Sequence, residues 1–63
     1  MYYVDVYEDD RMTVAGRKRF FNKESCKQFA TLNQPCVVFT NVHTNTGFVY
    51  LQEIARYGME DEE

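Results

Sequence analysis

The sequence predicts an α+β fold of ββαββ order, with a four-stranded, mainly antiparallel sheet and one helix packed on one face. Three observations lead there. Residues 2–21 and residues 36–57 each read as two β-prone runs around a polar turn. Residues 22–32 between them carry helical rather than alternating apolar spacing.

The first run alternates Tyr2, Val4 and Val6 with Tyr3, Asp5 and Tyr7, the period of a strand with one covered face. Tyr2, Val4 and Val6 are expected to face the core. Glu8-Asp9-Asp10-Arg11 is too polar to bury and suits a turn. The return run, Met12 to Phe21, is less regular. Gly16 marks a bulge or a close backbone approach. Val14 and Phe20 are expected on the core face, with Arg17, Arg19 and Phe21 opposite.

Asn22 suits a helix cap, and Glu24 lies in the first turn, where the helix dipole favours an acid. Cys26, Phe29, Ala30 and Leu32 trace a narrow apolar stripe, while Lys23, Lys27 and Gln28 face water. Pro35 ends the segment, because proline cannot continue a helix and disfavours helical geometry at Gln34.

The second hairpin climbs from Cys36 through β-formers to Thr44, turns at Asn45-Thr46-Gly47 and returns through Phe48 to Tyr57. Val49 and Leu51 fall on one face of the last strand, and Phe48, Tyr50 and Ile54 on the other. Apolar groups on both faces predict a central strand or a partner on one face.

With 63 residues the chain is one domain, residues 1–58, followed by an acidic flexible tail, residues 59–63. Glu60, Asp61, Glu62 and Glu63 hold four of the ten acids; without them six acids face seven bases, so the body is near +1 although the chain is −3. Two cysteines and a start without a signal-type apolar run point to a reducing, cytoplasmic setting with Cys26 and Cys36 as free thiols. No apolar stretch approaches the roughly 18–20 residues of a membrane span, so no membrane role is expected.

Little in the sequence suits catalysis. His43 is the one histidine, and its sequence neighbours Thr40 and Thr44 are poor orienters for a general base. Cys26 and Cys36 have nine residues between them, not the two of a redox or zinc motif, so a Cys26-Cys36-His43 metal site is weakly signalled and Cys26 reads better as a small buried hydrophobe. Asp5, Glu8, Asp9 and Asp10 lack the spacing and turning glycine of a calcium loop and read as solvated turn charge. No phosphate loop or nucleophile elbow is present. The sequence therefore predicts no catalytic residue, no cofactor and no metal.

Two binding readings remain. The first is a non-enzymatic protein-binding module whose open sheet face presents Tyr3, Tyr7 and Tyr50 with Arg17 and Arg19 to a larger host or cellular protein, or to a second copy. The second is a single-stranded nucleic-acid binder using Arg17, Arg19 and Lys23 beside the same aromatics. The acidic balance and the splitting of Arg17-Lys18-Arg19 across two strand faces favour the first. In size and composition the chain resembles the small inhibitors and adaptors of phages and mobile elements, and no specific motif accompanies that likeness.

Overall fold

A computed structural model describes residues 1–59. It contains β1 (Tyr2–Tyr7), β2 (Val14–Phe20), α1 (Lys23–Leu32), β3 (Cys36–His43) and β4 (Val49–Tyr57). The strands form one antiparallel sheet in the order β2-β1-β3-β4, and α1 packs on one side of it. This is the expected ββαββ arrangement. Of residues 59–63, expected to form the tail, Met59 is described and Glu60 to Glu63 lie outside the described residues. No helix among the described residues is long and apolar enough to cross a membrane.

Burial selects the central strands. Cys36, Val37 and Val38 are consecutive and all buried, so β3 is covered on both faces and sits inside the sheet. Its other inner neighbour is β1, where Val4 and Asp5 are buried in succession. Of the two expectations for the last strand, a central position or a partner on one face, the first does not hold: β4 is an edge, and Val49, Tyr50, Leu51 and Ile54 stay exposed.

Local chemistry sets the boundaries. Asp10 accepts from the Met12 and Thr13 N–H groups at 2.8 and 3.0 Å and from the Thr13 hydroxyl at 2.8 Å. That turn consumes Met12 and Thr13, so β2 begins at Val14, two residues later than the pattern suggested. These bonds also lower the Asp10 pKa, the Met12 N–H contributing most. Asn22 caps α1 by accepting from the Glu24 and Ser25 N–H groups at 2.7 and 3.3 Å. Leu32 lies two positions beyond Ala30, about 200° round the helix, so it leaves the apolar stripe and is exposed. Phe21 is likewise outside β2 and exposed.

The core is made of small side chains. Val4, Cys26, Ala30, Cys36 and Val38 form its buried centre, ringed by Tyr2, Val6, Phe20, Phe29, Ala55 and Tyr57. Phe20 and Phe29 meet with ring centroids 5.3 Å apart and fix the helix toward the β2 side.

Two irregularities interrupt the ladders. Val6 pairs with Gly16 but Tyr7 with Val14, so Ala15 is an extra residue beside the glycine that signalled a bulge. The slip also carries Val14 to the helix-free face, opposite Tyr7, rather than to the core. Val38 pairs with Ala55 but Phe39 with Glu53, so Ile54 is extra in β4.

One end of the sheet is tied together by backbone contacts. The Tyr7 N–H donates to the Pro35 carbonyl at 2.9 Å, and Arg11 Nε donates to the Gly58 carbonyl at 2.7 Å. Gly58 has φ +71°, and a Cβ there would lie 2.9 Å from Gln34 Oε1 and 3.1 Å from Gln34 Cβ. Gly58→Ala is therefore expected to lower stability by about 1–2 kcal/mol, combining left-handed strain with the clash. Urea denaturation monitored by circular dichroism will measure it.

Candidate functional site

The side of the sheet away from α1 brings together four of the five residues expected to bind a partner. Tyr3 and Tyr7 lie on β1; Arg17 and Arg19 lie on β2, with Arg19 opposite Tyr3 and Arg17 opposite Asp5. Tyr50 is not with them. It pairs with Val42, in the same row as Thr40 and Val38, and so faces the helix side. Its placement follows from the bulge. Tyr57 and Ala55 face the helix, a regular strand would continue through Glu53 and Leu51, and the extra Ile54 hands that row to Gln52 and Tyr50 instead.

The helix-free face is closed by its own side chains. Asp5 and Val37, paired across β1 and β3, are only 5% and 3% exposed although no helix covers them. Arg17 Nε and Nη2 hold the two Asp5 carboxylate oxygens at 2.5 and 2.9 Å. The same guanidinium stands over the Tyr3 ring, 5.7 Å from its centroid. The Asp5 hydrogen bond raises the Arg17 pKa above its ordinary value. On the far side of Val37, Arg56 is paired with Glu53. The Ile54 bulge permits that pair, since in a regular strand residues three apart point to opposite faces. Asp5, read from sequence as solvated turn charge, is thus a buried ion-pair partner. Tyr3 and Tyr7 are half-buried in this polar covering rather than displayed on an open aromatic face.

The basic residues divide between the faces. Arg17 and Arg19 lie on the helix-free side, whereas Lys18 stands 6.0 Å from the Phe29 ring centroid on the helix side. Lys23, the third cation of the nucleic-acid reading, opens α1 and lines a cleft of ≈ 150 Å³ between the helix and β4. Lys27, one turn on, shares that wall; Ile54 and Tyr57 form the other, with Cys26 and Val38 at the base. A larger hollow along Glu24, Gln28 and Thr31 lies on one helix flank and has no second wall.

The cysteines and the histidine do not converge. Cys36 and His43 are seven residues apart on β3, about 23 Å along the strand and on opposite faces. Both cysteines are free and buried, and the Cys36 thiol donates to the Ala30 carbonyl at 3.3 Å. Burial raises both thiol pKa values, so they are protonated at neutral pH and poor nucleophiles. Among the described residues no group of three or more His, Cys, Asp or Glu side chains could hold a metal ion.

Sequence reading missed the β4 edge. Phe48 is 72% exposed and Ile54 43% exposed, and Val49, Tyr50 and Leu51 between them are also exposed. The signal was present as apolar residues on both faces of the last strand, but it was equally compatible with a central position. No family model, curated protein or solved structure matches the chain.

Two outcomes test this account. Arg17→Ala should cost about 2 kcal/mol, because it strands the Asp5 carboxylate under its neighbours, discounted for the half-exposed arginine. Asp5→Asn should cost about half as much, since Arg17 can turn its charge to water; the reverse order in urea titrations would contradict the burial argument. The raised thiol pKa values make a contribution that is complete below the unfolded thiol value of about 8.5 and is lost as pH rises toward the folded values. Denaturation midpoints should therefore fall above that pH, and the fall should shrink in a Cys26→Ala, Cys36→Val double variant.

Proposed function

We propose that the chain is a non-enzymatic protein-binding module that engages a larger protein through β4. The observation that carries this reading is the contrast between the two sheet edges. The β2 edge carries Arg17, Lys18 and Arg19 in succession, the charged guard that keeps an edge from pairing with other chains. The β4 edge carries Glu53 and Arg56 at the level of those cations, but toward its start it presents Val49, Tyr50 and Leu51 in succession, with Phe48 before them and Ile54 beyond, all exposed. A nine-residue strand extends about 30 Å and offers a row of backbone groups for strand addition.

Size supports one such contact. A standard interface takes about 800 Å² per side, roughly a sixth of the 4745 Å² of accessible surface. Tyr50 keeps its expected role, on the helix side of β4. Tyr3, Tyr7 and Arg17 belong instead to the closed helix-free face, where Arg17 is committed to Asp5 and Tyr3. That commitment, and the division of cations between faces, weighs against a continuous nucleic-acid groove. The small size fits an inhibitor or adaptor, and the two free thiols fit a reducing cytoplasm.

Capture from a lysate of the producing cell, with the wild type and a Val49→Lys, Leu51→Lys variant side by side, tests the reading. One or a few proteins should be enriched on the wild type and lost from the variant. Equal recovery on both, or recovery of nucleic acid alone with a steep salt dependence, would overturn it.

A further inference from the structure

The helix leaves one strip of its own side of the sheet uncovered. α1 packs against β1, β2 and β3, and the row Tyr50, Gln52, Ala55 and Tyr57 on β4 lies beyond it. The resulting cleft has an apolar base and outer wall and two lysines on the helix wall. Lys23 and Lys27 are four residues apart and so share a helix face. Among the described residues neither makes an ion pair.

We propose that the partner supplies an extended segment that lies along the β4 edge as a fifth strand, with two acidic side chains separated by one residue directed at Lys23 and Lys27. This rests on the protein-binding reading and adds the chemistry of the bound segment. Spacing and charge both support it. Alternate side chains of a strand fall on one face about 6.6 Å apart, and residues one helical turn apart are separated by about 6 Å along the axis. An added strand therefore sets every second side chain on the helix side at the repeat of the two lysines, one strand spacing beyond the Ile54 and Tyr57 wall, where the long lysine side chains reach across it. Its intervening side chains fall on the other face, the one that carries Val49, Leu51, Glu53 and Arg56. Two lysines without an ion pair among the described residues, above an apolar floor, select carboxylates at the positions that face them.

The test uses three fluorescein-labelled peptides on the full chain, read by fluorescence anisotropy at low salt. The first is Thr-Val-Glu-Val-Glu-Val-Thr, the second replaces both Glu by Lys, and the third places the two Glu side by side so that they fall on opposite faces. The first should bind about fivefold or more tighter than either control, in line with paired surface charges at a partly desolvated rim. It should also slow amide exchange along β4. A Lys23→Glu, Lys27→Glu variant, checked for an unchanged melting curve, should reverse the preference toward the lysine peptide. Equal binding of all three peptides, or an unchanged preference in the variant, would overturn the proposal. So would light scattering showing a dimer that the peptide fails to dissociate, since a second copy would then hold the edge. A chain ending at Met59 addresses the remaining occupant: binding confined to that shortened chain would assign the cleft to the protein's own acidic terminus. If the captured partner is lost on Val49→Lys, Leu51→Lys but retained by the double glutamate variant, the protein-binding reading stands and this inference fails.

Discussion

A single short helix must cover a sheet wider than itself, and the rest of the structure follows from that mismatch. A helix is about 10 Å across and ten residues make it about 15 Å long, while four strands spaced about 4.8 Å apart place their outer axes about 14 Å from each other. The helix cannot reach both edges. The Phe20–Phe29 contact draws it toward β2, and small residues at Cys26 and Ala30 let it settle close over β1 and β3. β4 is left outside its shadow, and the apolar groups there remain in water.

The opposite side of the sheet faces the same shortage and meets it differently. With no second layer available, charged side chains serve as the cover. Arg17 folds across Asp5 and Tyr3 on one flank, and Arg56 joins Glu53 on the other, so Val37 is excluded from solvent between them. Buried ion pairs seldom add much net stability against an apolar alternative. Their contribution here is a closed face whose polar exterior resists non-specific association, which concentrates the sticky surface at the remaining edge.

Much of the fold was legible in the sequence because local rules dominate it. The alternation from Tyr2 to Tyr7, the Asn22 cap, the stop at Pro35 and the turn at Gly47 each act over a few residues, and each matches the structure. The order of the strands was not legible, because two hairpins can join through any of their edges and the choice depends on burial of both faces of Cys36 to Val38. The face of Tyr50 was lost for a related reason: one additional residue at Ile54 inverts the remainder of the strand, and composition gives no sign of it. The Asp5–Arg17 pair needed cross-strand register, since the two residues are twelve apart in sequence. Lys23 and Lys27 were legible as helical neighbours, but the opposing wall of Ile54 and Tyr57 appears only in three dimensions.

The pairing of β1 with β3 also shapes how the molecule assembles. Each outer strand is joined to its inner neighbour by a short turn, so both hairpins can form from nearby segments alone. Uniting them demands one long-range encounter, between Val6 and Cys36, which encloses twenty-nine intervening residues including the helix. Closing such a loop carries an entropic barrier on the order of 3 kcal/mol, repaid only when the helix seats on the newly joined strands. Collapse of the whole chain is thereby concentrated in a single cooperative step, with little reason for half-assembled forms to accumulate.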